Sequence, residues 1–126
     1  MSEQIVQRLV ITRTAIGLGA WLAPRLSGRL FGLDPDSNPQ APYLGRLFGV
    51  RDVALGFGLS TSSGADRQQW LQVGIACDLA DAAAGLLAGR AGQLPKRAAA
   101  LVTGTALMAA AMGVAAMRGE EPTPGA

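Results

Sequence analysis

Twenty consecutive residues between Arg97 and Arg118, AAALVTGTALMAAAMGVAAM, carry no charge. That is the length a helix needs to cross a hydrocarbon layer about 30 Å thick. A helix with no polar face has no side to turn to water, so the run belongs in a bilayer or in a fully buried core. A chain of 126 residues has little room for a core helix that is apolar all round.

Reading towards the N-terminus, three further apolar runs stand out. They are Trp70 to Gly89, Tyr43 to Ser60 and Leu9 to Ala23, each interrupted by charge. The pattern predicts an all-α, integral membrane four-helix bundle with helices at about 9–23, 43–60, 70–89 and 98–117. Residues 1–118 form a single transmembrane domain on this reading, and 119–126 a polar, proline-bearing disordered tail. The prolines of DPDSNPQAP, Asp34 to Pro42, mark a loop, and TSSGAD, Thr61 to Asp66, marks a turn. Asp66 with Gln69 three residues on resembles a capping box, and Gly92 with Pro95 punctuates the next turn. Loops this short join antiparallel neighbours. Trp21, Tyr43 and Trp70 fall at predicted helix ends, where aromatic side chains favour the membrane interface.

Two other accounts compete with this one. Arg8 and Arg13 before AIGLGAWLA resemble a signal peptide, but Pro24 and Arg25 sit where cleavage would fall. A soluble helical bundle is favoured by the modest mean hydropathy of +0.27 and by the charges inside the middle helices, yet the last helix offers no polar face.

Composition narrows the chemistry. With no histidine the chain lacks the commonest general base and metal ligand, so neither metal, cofactor nor catalytic residue is expected. The single Cys77 forms no intramolecular disulfide and is read as a small buried apolar residue. A net charge of +2, spread without basic runs or interleaved aromatics, gives no footprint for nucleic acid.

The one concentration of chemistry is at mid-helix: Arg13, Arg51, Asp52, Asp78 and Asp81. An ionised group at the bilayer centre costs about 2.5 to 3.5 kcal/mol, so five left unpaired would cost on the order of 10 to 17 kcal/mol. These residues must pair, be neutralised or line water. Asp78 and Asp81 are three apart and share a helix face with Gly74, Ala82, Gly85 and Gly89. Asp52 lies along the stripe of Gly45, Gly49 and Gly56, and Arg13 has Gly17 and Ala20 on its face. Small residues let helices approach closely in a membrane, so the five charges are expected to form an inter-helix ion network. That network either fixes helix register or leaves Asp78 or Asp81 to take up a cation, a proton or a substrate amine. If one arginine served both acids, repulsion between them would leave one free to titrate. Met108, Met112 and Met117 are read as packing residues.

The pentapeptide GRLFG occurs at Gly28 to Gly32 and again at Gly45 to Gly49; the first copy is expected as an interfacial amphipathic turn, with Arg25 and Arg29 near lipid headgroups. RLFGVRDVALG, together with the paired aspartates of WLQVGIACDLADAAAGLLAG, resembles a group of small four-helix membrane proteins from actinobacteria known only as a domain of unknown function. The resemblance covers most of residues 9–117 and implies the fold and a membrane location, with no activity attached.

Loops one-two and three-four carry Arg25, Arg29, Arg90, Lys96 and Arg97, against Arg8, Arg67 and Arg118 on the other side. The positive-inside rule then puts both termini outside the plasma membrane. The expected function is a non-catalytic accessory or scaffold subunit, as a homo-oligomer or within a larger membrane complex. A small solute or proton-coupled transporter acting as an oligomer is the alternative. Small drug exporters place a carboxylate in their first helix, where this chain has Arg13. A membrane-embedded enzyme ranks third, with only Asp, Arg and hydroxyl groups for tools.

Overall fold

The computed structural model describes residues 2–120 and has no strand among them. Its five helices are α1 (Ser2–Leu22), α2 (Pro24–Leu30), α3 (Ala41–Ser60), α4 (Gly64–Arg90) and α5 (Lys96–Glu120). Two of them, α4 and α5, are long and apolar enough to cross a membrane.

Several boundaries differ from those expected, each for a local reason. Helix α1 starts at Ser2 rather than near residue 9, because Ile5, Val6 and Leu9 face the core while Glu3, Gln4, Gln7 and Arg8 face outwards. That spacing continues the helical period through a segment too polar to count as a span. Helix α2 was expected only as a turn. Pro24 opens it at a position where the missing N–H and fixed φ suit a helix start. It ends on Gly32, whose φ of +82° lets Leu33 N–H reach the Gly28 carbonyl at 2.9 Å, a Schellman closure. The two GRLFG copies therefore differ: the first unwinds at this cap, and the second lies wholly within α3.

Pro42, expected in the loop, belongs to the first turn of α3. Helix α4 begins at Gly64, so Trp70 stands well inside it rather than opening it. The capping box is not formed: Ser63 is the N-cap, no side chain caps the helix, and Asp66 sits in the first turn, where a carboxylate complements the helix dipole. Gly92, with φ of +74°, closes α4 in the same way as Gly32 closes α2. Gly119 and Glu120 continue α5; the rest of the expected tail, 121–126, lies outside the described residues.

The four long helices form two antiparallel hairpins, α1 with α3 and α4 with α5, joined chiefly where α1 meets α5. Helices α3 and α4 touch sparsely, and the backbones of α1 and α4 lie across the diagonal without touching. The apolar cluster of Val6, Leu9, Leu59, Leu71 and Ala116 fills the end where the chain begins, with Met112 and Met117 packed against it. Met108, by contrast, is exposed. At the other end the turn that follows α2 lies beside the start of α5, with Gly32 against the Ala98 backbone.

Elsewhere the helices pack through small residues. A Cβ on Gly17 would fall 2.6 Å from the Gly49 carbonyl oxygen and 2.9 Å from the Val53 nitrogen, so α1 and α3 cross backbone to backbone. Gly85 and Gly89 give the same clearance to Thr103 and Ala99 of α5. Gly45 does not mark a tight crossing, since its nearest neighbour is the Pro24 Cβ at an ordinary 3.7 Å. Trp70 lies over Gly58, where a Cβ would collide with the indole, and this contact ties α4 to α3.

Gly17→Ala should destabilise the protein by about 1 to 3 kcal/mol, because the methyl meets backbone that cannot step aside. Gly104→Ala, where nothing lies within 4 Å, should gain about 0.5 to 1 kcal/mol of helix propensity. Thermal unfolding of the two variants under one set of conditions measures the difference, and a Gly17→Ala protein as stable as the parent would contradict the crossing.

Candidate functional site: a buried ionic chain

The five mid-helix charges come from three helices, and their order in space alternates in sign. Arg13 of α1 reaches across the diagonal of the bundle to Asp78 of α4, donating from Nη1 to Oδ1 at 3.0 Å and from Nη2 to Oδ2 at 2.6 Å. Arg51 of α3 makes the same two-pronged contact with Asp81 of α4, at 3.0 and 2.5 Å. This fork-on-fork geometry is the strongest that a guanidinium and a carboxylate can make. Asp52 stands between the pairs, its Oδ1 being 3.9 Å from Arg13 Nη1 and 3.7 Å from Arg51 Nη2. Those are ion-pair distances outside hydrogen-bonding range. The sequence of charges is thus Asp78, Arg13, Asp52, Arg51, Asp81.

Burial is graded along it. Arg13, Asp52 and Asp78 are only 6%, 5% and 4% exposed, whereas the Arg51 and Asp81 side chains are 34% and 31% exposed. Helical geometry accounts for the split. Three residues advance about 300°, so Asp78 and Asp81 diverge by about 60°. Asp78 points to the centre, and Asp81 points to the α3/α4 seam. Asp78 and Asp81 do not share one arginine, since each holds its own. The carboxylate without a guanidinium to itself is Asp52.

The surroundings are shaped for this chain of charges. A Cβ on Gly74 would lie 2.9 Å from Arg13 Nη2, so this glycine makes the clearance through which the guanidinium passes. Gly56 does the same for Thr14 of α1, at 2.9 Å from its Oγ1. The Arg51 guanidinium carbon sits 4.9 Å from the centre of the Phe48 ring, a cation–π contact. Arg51 Nε is buried and meets no acceptor among the described residues, as is true of Thr103 Oγ1. Cys77, expected to be buried, is half-buried one turn before Asp81.

Other charges lie at the ends of the bundle. Arg25, Arg29, Arg46, Arg90, Lys96 and Arg97 gather at the α2 end, and Arg8, Arg67 and Arg118 at the opposite one. Asp36 pairs with both Arg25 and Arg29, and Glu3 pairs with Arg67 at 2.7 Å. Arg46 Nε donates to the Trp21 carbonyl at 3.1 Å, satisfying one of the acceptors left open at the end of α1. Asp34 accepts from the Ser37 hydroxyl at 2.8 Å and the Asp36 amide at 3.1 Å. These bonds, the hydroxyl first, hold its carboxyl below the usual value. Its contribution to the loop is present above the ordinary carboxylate pKa and is lost as pH falls through the lowered one.

Sequence reasoning missed Trp70 over Gly58, the Gly74 clearance, Phe48 and the Glu3–Arg67 pair. The first two have no local signal, because each depends on which residue of another helix arrives opposite. Two open surface pockets, one along Val6, Val10 and Ile11 and one beside Trp70, include none of the five network residues. Among the described residues, no group of three or more His, Cys, Asp or Glu side chains is placed to hold a metal ion.

Arg13→Gln should cost about 3 to 5 kcal/mol, since it leaves Asp78 charged and buried without a partner. Arg51→Gln should cost less than Arg13→Gln, because Asp81 is only part-buried at the open α3/α4 seam and has room to relax when its partner is removed. Equal losses in thermal unfolding would contradict the graded burial. No family model, no curated protein and no solved structure matches this chain.

Proposed function

We propose that this chain is a small multi-pass membrane protein, a four-helix transmembrane bundle with an additional surface helix, acting as a non-catalytic scaffold or accessory subunit. One observation carries the reading: the distribution of polarity is inverted. Buried positions at mid-length hold Arg13, Asp52 and Asp78 among glycines and alanines, while Leu18, Leu47, Val50, Leu79, Leu107 and Met108 are exposed. Water would favour the reverse arrangement; a hydrocarbon solvent favours this one.

Two further features support it. Only 28% and 22% of the apolar windows of α4 and α5 are buried, too little for core helices of a soluble bundle. Helices α1 and α3 do not meet the same span criterion, and of the charges at their middles Arg13 and Asp52 point inwards. Outward charge is confined to the two ends of the bundle apart from the Arg51–Asp81 pair. The resemblance to small actinobacterial membrane proteins adds the same expectation. Arg46 brings the basic residues at the α2 end to six against three, and the positive-inside rule then turns that end to the cytoplasm and both termini outwards.

The ionic chain serves on this reading to fix helix register where hydrophobic drive between helices is absent. A solute or proton-coupled transporter is favoured by one fact: three carboxylates face two guanidiniums. The surplus negative charge is what a carried cation or proton would neutralise, and Asp52 is where it falls.

The test is fractionation followed by a mild-detergent pull-down of the tagged chain from its native membrane. The chain should stay in the pellet after an alkaline carbonate wash, and should elute with a stoichiometric larger partner or with its own copies. Release by carbonate overturns the membrane reading. Solute-induced stabilisation that Asp52→Asn abolishes would replace the scaffold with the transporter.

A further inference from the structure

We propose that the α3/α4 seam is the two-fold interface through which this chain pairs with a second copy of itself, the partner closing the open edge of the ionic chain. This rests on the membrane reading, because only in hydrocarbon is the edge a liability.

The Arg51–Asp81 pair lies near the middle of α3 and of α4, and both side chains remain about one-third exposed, 34% and 31%. Every other charge in the middle third of the helices is buried. The pair emerges where adjacent long helices touch least, α3 and α4 meeting at this contact, at Trp70 over Gly58 and in the apolar cluster that holds Leu59 and Leu71. An opening of this kind presents both a cation and an anion to acyl chains, which offer neither hydrogen bond nor counter-charge.

A second copy supplies both. A two-fold interface brings the same patch from each molecule face to face, so a patch bearing one Arg and one Asp is complementary to itself. Arg51 of each protomer then meets Asp81 of the other, and the two chains of alternating charge close into one. The surrounding surface suits close contact: Leu47 and Leu44 stand one and two turns before Arg51 on α3, and Ala84 one turn after Asp81 on α4. The unequal ends fix the symmetry axis. With six basic residues gathered at one end and three at the other, the two copies share an orientation, and the axis runs along the bilayer normal.

Cys77 is a native reporter, being the chain's one cysteine, half-buried and one turn from Asp81 on the seam side of α4. Carbonate-washed native membranes are treated with copper phenanthroline, a membrane-permeant oxidant that joins neighbouring thiols as a disulfide, so that retention in the pellet tests the membrane reading separately from pairing. Cys77, and Ala84→Cys in a Cys77→Ala background, should each yield a covalent dimer. Met108→Cys in that background, at similar depth on the far side of the bundle, should yield several-fold less. Ala84→Trp, which widens the seam without touching the ion pair, should lower Cys77 cross-linking several-fold while leaving the chain in the pellet. A chain retained in the membrane that gives no dimer, a dimer as strong from Met108→Cys, or an adduct only with a different protein each overturns the proposal.

Discussion

The Arg13–Asp78 contact crosses the interior of the bundle between two helices whose backbones never meet. Helices α1 and α3 form one tight unit through Gly17 and Gly49, and α4 and α5 another through Gly85 and Gly89. What aligns the units at mid-length is a guanidinium held at both of its outer nitrogens. Its planar fork accepts one orientation of the carboxylate, so the contact fixes the rotation of α4 as well as its distance from α1. The clearance at Gly74 and the crossing at Gly17 follow from this, because a long side chain reaches across only if the helices beside it draw close. Glycine and arginine are thus two halves of one solution: the first brings backbones together, and the second spans what remains.

The apolar cluster at the opening end has a different part. Val6, Leu9, Leu59, Leu71 and Ala116 gather residues from all four long helices, and they pack without directional demand. Such a cluster tolerates small shifts in register; the ionic chain does not. One end of the molecule therefore holds the helices together while the middle decides how they are turned. At the α2 end, where neither device operates, side chains meet backbone instead, as Arg46 does at the Trp21 carbonyl and Asp34 does at its own loop.

How far the sequence could be read follows from which forces act locally. The charge-free run of α5 was legible because span length is a one-dimensional property, and the five mid-helix charges were legible because each is costly in its segment. The first turns of α1 and α4 were not, since Glu3, Gln4 and Gln7 or Asp66, Gln68 and Gln69 are too polar for a span and give no sign that the helix continues past it. Helix α2 was hidden because seven residues carry too short a period to recognise, although Pro24 and Gly32 mark its two ends. The division of partners within the network, Asp78 to Arg13 and Asp81 to Arg51, was beyond the sequence altogether. Spacing says that two acids share a side of a helix, but the rotation of α4 decides which helix each one meets.

Arg51 and Asp52 are consecutive, so on α3 their side chains leave the axis about 100° apart. One grips α4 and the other leans towards the guanidinium that joins α1 to α4. Any twist of α3 about its own axis must therefore loosen both at once. Neighbouring residues tie the setting of one helix to two contacts: α3 is seated against Asp81 of α4 and against the Arg13 guanidinium together, which gives the middle of the molecule the character of a latch.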